Sequence, residues 1–283
     1  MKSIFSKDEI EFMKNNYLTM TYKEIADCLG FSERQIRGKL NNMGLTKLRK
    51  FDKHYFDVID CAEKAYWIGF IYADGYIICR PETRNYELGI ELQDVDKYLL
   101  ERLNDQLGGV HKILDKHSRK QFNGYDYETD SCVLRVYCKQ IIDSLIKHGI
   151  VQNKTYSNIY PSNIPDEYFY AFVRGFLDGD GCIYVDQKQN VLVQFTNSNL
   201  VFLKYLSEKI QELTLCVSHL YMEKDRKYRL TIGKKSDVYK FLNWIYDDLT
   251  FPYLERKYIK YLTCNGSPNE KLLGNNEGKI GGC

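Results

Sequence analysis

The sequence predicts an α+β protein: two αββαββα repeats related by a pseudo-twofold axis, preceded by a small three-helix helix-turn-helix domain. Three observations predict it. An apolar segment ending in Asp-Gly occurs twice, with Asp74 and Asp180 at matching places. Each copy is followed by the same order of strand-like and helix-like runs. Three capping signatures crowd together between Ser6 and Gln35. At 283 residues, with 44% hydrophobic and 28% charged residues, the chain can fill roughly two cores and is too apolar for wholesale disorder.

The N-terminal domain spans 1–46. Ser6-x-x-Glu9, Thr21-x-x-Glu24 and Ser32-x-x-Gln35 each match a capping box, followed by apolar pairs at helical spacing: Ile10/Met13, Ile25/Leu29 and Ile36/Leu40. Gly30 and Gly44 stop the second and third helices, and the turn Leu29-Gly30-Phe31-Ser32 makes a helix-turn-helix. Arg34, Gln35, Arg37, Lys39, Asn41 and Asn42 lie off the third helix's apolar seam. Such side chains can read guanine and adenine edges in the major groove; the plain alternative is a solvated face of a small bundle. Residues 1–50 hold ten Lys/Arg and six Asp/Glu, a net +4 that leaves −2 for the rest of a chain whose total is only +2. The basic excess is thus local. Residues 47–62 read as a basic linker, with Lys47, Arg49, Lys50 and Lys53.

The two repeats span 63–160 and 161–263, divided at Pro161-Ser-Asn-Ile-Pro165. Residues 66–77 read YWIGFIYADGYI and residues 172–183 read FVRGFLDGDGCI. Strands are expected at 76–80, 86–92, 110–117 and 132–138, with counterparts at 182–187, 191–197, 217–224 and 228–233. Helices are expected at 94–107 and 139–148, with counterparts at 198–212 and 236–247. If the two motif helices pack in parallel, Gly69 faces Gly175, the backbones approach closely, and Asp74 and Asp180 come side by side. Two carboxylates there, at the negative ends of two helices, repel unless a hard divalent cation sits between them.

These residues resemble the paired motifs of a single-chain, two-repeat LAGLIDADG homing endonuclease over residues 60–263. The resemblance implies saddle-shaped antiparallel sheets facing the major groove of double-stranded DNA. It implies that Asp74 and Asp180 hold catalytic Mg²⁺ (or Mn²⁺), and that a staggered double-strand break follows by phosphodiester hydrolysis. It places Lys154 and Lys257 near the active site, orienting water or stabilising phosphate charge, and Gln93 and Asn197 near the water network; ordinary surface lysines are the alternative. The chain departs from the motif at Trp67, Ile68, Tyr72 and Arg174. Arg174 is expected to point outward, since a buried unpaired charge is costly.

On a DNA-facing sheet, alternation offers Arg135 and Arg229 as contacts, with Lys234 and Lys235 beyond the last strand. Lys116, Arg119 and Lys120, and Lys224 and Arg226, read as basic hairpin tips suited to phosphate, or as solvated turns. Glu87 and Glu91 alternate toward the same face, where acid is unfavourable except opposite a cytosine amino group. The nine cysteines are scattered and never spaced Cys-x-x-Cys, which excludes a disulfide framework and a zinc site and points to a reducing cytoplasm, bacterial or phage-infected. No apolar run reaches a membrane span, and the five histidines form no His-Asn-His grouping. The tail 264–283, with five glycines, reads as flexible. The expected protein is a monomer acting on duplex DNA. Its alternatives are a non-catalytic LAGLIDADG-type transcription regulator and an RNA maturase that binds intron RNA.

Overall fold

The computed structural model describes residues 5–17, 20, 22–45, 51–122, 125–154, 157–186, 190–223 and 227–264. The chain divides into two compact units, Met1–Lys50 and Phe51–Cys283.

The first unit is the three-helix module: α1 (Lys7–Asn16), α2 (Tyr22–Leu29) and α3 (Glu33–Asn42). Met13, Ile25, Ala26, Ile36 and Leu40 form its small core. Two capping boxes close as their spacing predicts. Ser6 Oγ accepts the Glu9 N–H while Glu9 accepts the Ser6 N–H, and Ser32 and Gln35 do the same. Gly30 and Gly44 sit at φ +72° and +70°, the left-handed conformation that ends a helix most easily with glycine. Thr21 lies outside the described residues.

The second unit contains two similar halves. The first runs α4 (Ala62–Asp74), β1 (Tyr76–Arg80), β2 (Asn85–Gln93), α5 (Lys97–Gln106), β3 (Ile113–Phe122), β4 (Tyr125–Tyr137) and α6 (Lys139–Lys147). The second runs α7 (Phe169–Asp180), β5 (Gly181–Val185), β6 (Val191–Asn197), α8 (Leu200–Thr214), β7 (His219–Met222), β8 (Tyr228–Ile232), α9 (Lys235–Tyr246) and α10 (Glu255–Cys264). Their antiparallel sheets have the orders β1-β2-β4-β3 and β5-β6-β8-β7, the same topology twice. Strand alternation buries Ile77, Leu88, Ile90, Leu134 and Val136 in one sheet and Ile183, Val193, Phe195, Leu230 and Ile232 in the other. Both sets join a single core with α4 and α7.

Helices α4 and α7 are apolar nearly all round, as befits central helices. A Cβ on Gly69 would collide with the Phe172 carbonyl oxygen, and one on Gly175 with that of Tyr66. Further along, a Cβ on Gly179 would strike Ala73 and lie 3.4 Å from Asp74 Cγ. Residue numbers therefore rise together along the contact, and the helices are parallel. Gly75 and Gly181 follow at once, each where a Cβ would meet the preceding helical turn, so that a strand can leave the helix abruptly.

Two elements differ from expectation. Residues 116–120 are the interior of β3 and not a hairpin tip: β3 and β4 zip from Ile113↔Leu134 to Phe122↔Tyr125. Helix α10, beginning beside Lys257, has no counterpart in the expected repeat.

Candidate functional site

The parallel pair α4/α7 ends with Asp74 and Asp180 adjacent. Both residues remain open to solvent. Packing around their carboxyls raises both above the ordinary carboxylate range, Asp180 to about 6, where the charge of Asp74 adds to the effect. The charges of Lys154 and Lys257 oppose the rise at both aspartates.

Those two lysines do something the motif alone does not suggest. Lys154 Nζ donates to the carbonyl oxygens of Ile71 (3.1 Å), Ala73 (2.5 Å) and Gly75 (2.7 Å). Lys257 Nζ donates to those of Leu177 (2.6 Å), Asp178 (2.8 Å) and Gly181 (2.7 Å). Each ammonium clamps carbonyls at one motif helix's C-terminus and offsets its negative end. Burial pushes both lysines down to about 8, against the pull of neighbouring carboxylates. They anchor the helix ends and lie close enough for their charges to act on both aspartates.

A cleft of about 300 Å³ opens beside Asp180, lined by Tyr72, Ala73, Lys154, Thr196, Asn197, Ser198 and Lys227. Asn197 thus lies at the cleft, whereas Gln93 is exposed at the end of β2. The two are not counterparts. Tyr76 pairs with Gly89, while its counterpart Cys182 pairs with Gln194, so the second hairpin is one residue shorter. Gln93 then corresponds to Ser198 and Asn197 to Leu92. Sequence reading missed Ser198 and Arg256, and took Lys227 only as part of the basic tip that begins at Lys224. Arg256 stands next to Lys257, tied by Nε to the buried Asp96 at 3.2 Å, and its charge acts on Asp74. An i−1 position beside an expected site lysine was the only available signal.

Arg174 points inward, contrary to expectation. It is fully buried. Its guanidinium donates to the carbonyls of Ile245 (3.0 Å), Asp248 (2.6 Å) and Phe251 (3.4 Å) and stacks 3.4 Å from the Phe251 ring centroid. Carbonyl acceptors and an aromatic face replace water, so the charge is buried but not unpartnered. Nearby, Asp178 accepts from the Tyr66 hydroxyl (3.0 Å) and the Leu254 N–H (2.8 Å), and burial raises its carboxyl to about 6.

The expected contact residues divide by environment. On α3, Arg34 and Asn41 are exposed, Gln35 is engaged in its capping box, Arg37 pairs with Glu33 at 2.9 Å, and Lys39 lies over the Phe5 ring. On the first sheet, Arg135 pairs with Glu87 (3.4 Å) and Lys116 with Glu91 (2.6 Å), so both expected acids do face the open side, each holding a base. Arg119 pairs with Asp126 at 3.2 Å, on the opposite face of β3 from Lys116, so the two cannot contact one surface together. Arg229 pairs with Glu223, Lys234 reaches Asp237 at 3.8 Å, and Lys235 lies over Tyr239. Lys224, Arg226 and the Lys120 side chain lie outside the described residues.

The donor set suits a hard divalent cation. Two carboxylates converge where negative charge is already disfavoured, and among the described residues no third His, Cys, Asp or Glu completes a cage. Water and other oxygen ligands would complete the shell, as Mg²⁺ prefers. Among the described residues no helix is long and apolar enough to cross a membrane.

A family model described as a LAGLIDADG-like domain matches residues 167–246, and one described as a WhiA LAGLIDADG-like domain matches residues 63–122. Among solved structures, the homing endonuclease I-WcaI bound to its DNA recognition sequence is 14% identical, with a TM-score of 0.53 over 79% of this chain and 97% of that one. The meganuclease I-SmaMI, bound to uncleaveable DNA, is 15% identical with a TM-score of 0.48, over 71% of this chain and 88% of that one. Full-length DUF199/WhiA from Thermatoga maritima is 13% identical with a TM-score of 0.44, over 79% and 69%. A search of curated proteins gives no significant match. The same motif and sheet order recur in each half, each half gives one helix to the parallel pair, and the fold of the second unit is that of paired LAGLIDADG-like domains.

Proposed function

We propose that the chain is a site-specific DNA endonuclease, acting as a monomer in the cytoplasm of a bacterial or phage-infected cell. One observation carries the reading: Asp74 and Asp180 converge at the head of two parallel helices, between two sheets whose outer faces carry Arg135, Lys116 and Arg229. Asp74 and Asp180 would hold Mg²⁺ or Mn²⁺, which when bound supplies a lowered water pKa and charge stabilisation at phosphate. The chain's own residues do the positioning. Lys154 and Lys257 fix the last helical turns, and hence the aspartate backbones, and Lys154 also lines the cleft beside Asp180. Asn197, Thr196 and Ser198 line the cleft beside Asp180 and can orient water there. Arg256, oriented by Asp96, sets positive charge near Asp74, where a phosphate would approach. The three-helix module would lengthen the recognised site through Arg34 and Asn41.

A plasmid library of random sites, incubated with Mg²⁺ and sequenced at its broken ends, tests this. The wild type should leave staggered breaks at one motif, and Asp74→Asn and Asp180→Asn should lose double-strand cutting while keeping DNA affinity. Undiminished cutting by either variant rejects the assignment. The WhiA-type match of residues 63–122 supports a second reading, a regulator that binds without cutting. Sequence-selective binding without any Mg²⁺-dependent nick would favour it.

A further inference from the structure

The open face of the first sheet holds a built side-chain cluster that cleavage does not use. Across the sheet, Tyr76 pairs with Gly89 and Gly89 with Arg135. The Tyr76 ring occupies the space a Gly89 side chain would fill. Its hydroxyl donates to Glu87 Oε1 at 2.9 Å, and the same oxygen lies 3.4 Å from Arg135 Nε. The Glu87 side chain is only 10% exposed, and Arg135 Nε is buried, whereas the Arg135 side chain as a whole is 39% exposed. Nε itself has no hydrogen-bond partner, so Glu87 holds it by charge at 3.4 Å. A buried carboxylate and an aromatic ring thus flank the base of the Arg135 guanidinium.

The second sheet carries its arginine elsewhere: Arg229, paired with Glu223, stands opposite Thr196, two residues along β8 from the position that matches Arg135. Cys182, Gln194 and Thr231 stand where the first has Tyr76, Gly89 and Arg135, and Leu192 stands for Glu87. Gln194 donates to Thr196 at 3.4 Å, and Thr231 to the His219 carbonyl at 3.4 Å. At this one position the first half presents an arginine and the second a threonine hydroxyl.

We infer that Arg135, braced by Glu87 and Tyr76, is a specificity-determining residue that reads a single guanine in one half of an asymmetric duplex site. An arginine fork matches guanine O6 and N7, and bracing limits the conformational freedom that would otherwise let it settle on any phosphate. No guanine is specified at the mirror position, where Thr231 stands in place of Arg135 and offers no guanidinium fork. The inference rests on the proposed DNA-binding function.

The test is selection from random duplexes by the full chain in EDTA, so that nothing is cut. The wild type should enrich a non-palindromic motif with a guanine whose mirror position is not guanine. Arg135→Ala should lower that one preference roughly 10- to 100-fold and leave other positions intact. Arg135→Lys, which keeps the charge and loses the fork, should lose the preference as well. Glu87→Gln should blur the same position without weakening total binding. Thermal melts of all three identify any that fail to fold. Uniform weakening by Arg135→Ala, retention of the preference in Arg135→Lys, or guanine at both mirror positions overturns the inference, even where Mg²⁺-dependent cutting upholds the endonuclease. A wild type that enriches no duplex overturns both.

Discussion

Arg174 illustrates how a single residue can be read correctly for its cost and wrongly for its place. Three carbonyl oxygens, one in the last turn of α9 and two beyond it, accept from it. Arg174→Met keeps the volume and removes the donors, and should destabilise the second unit by about 3 kcal/mol in urea unfolding. A loss well under 1 kcal/mol would show that water replaces the guanidinium. Asp57 carries a pH dependence. It accepts from Ser144 Oγ (2.5 Å) and Gln140 Nε2 (2.9 Å) and pairs with His54 (2.7 Å), which hold its carboxyl well below the ordinary 3.8. Its folded pKa is depressed, so its stabilisation is present above about pH 4 and is lost as pH falls through the folded value. Melting curves of the wild type and Asp57→Asn should therefore converge on acidification; parallel curves would deny the role. Lys154 and Lys257 were visible as a repeated feature, but their carbonyl partners lie about eighty positions away and no local pattern reveals them.

At the scale of elements, the α4/α7 contact depends on two missing side chains. Gly69→Ala should cost at least about 2 kcal/mol and abolish any cleavage, because its Cβ would meet backbone that cannot move aside. Gly38→Ala on α3 is the control: nothing lies within 4 Å of its Cβ position, and the helix should gain up to about 1 kcal/mol. Equal melting temperatures for Gly69→Ala and the wild type would contradict the close packing. The Asp-Gly motifs and most strands were legible because period-2 alternation and glycine punctuation are local signals. The β3–β4 hairpin was not. Lys116, Ser118 and Lys120 suggest a turn by composition, and only pairing with β4 carries them as strand. Helix α10 was missed for a related reason, since its N-terminal turn is held by Lys257 reaching back to α7.

For the molecule as a whole, each unit has its own core, so a chain beginning at Phe51 should fold unaided. Its melting transition should match that of the second unit in the full chain. On the proposed function, its affinity for the selected duplex should fall roughly tenfold, as expected when one of two tethered binding modules is removed. Fluorescence anisotropy measures this, and unchanged affinity would remove the N-terminal helices from DNA recognition. The sheet faces also carry nearly as many acids as bases, which agrees with a net charge of only +2. Binding should then lean on positioned contacts more than on bulk attraction.

The sequence by itself determined the doubled motif, its two terminal aspartates, the alternating strands and the capped N-terminal helices. Each depends on residues within a turn or two of one another. Only the tertiary structure decided which charges are free. Whether a lysine meets phosphate or clamps a helix end, whether Arg174 faces out or in, and which arginine is braced by an acid all turn on partners brought together by packing. Burial makes an unpaired charge costly, and it is the folded neighbourhood that supplies the pair.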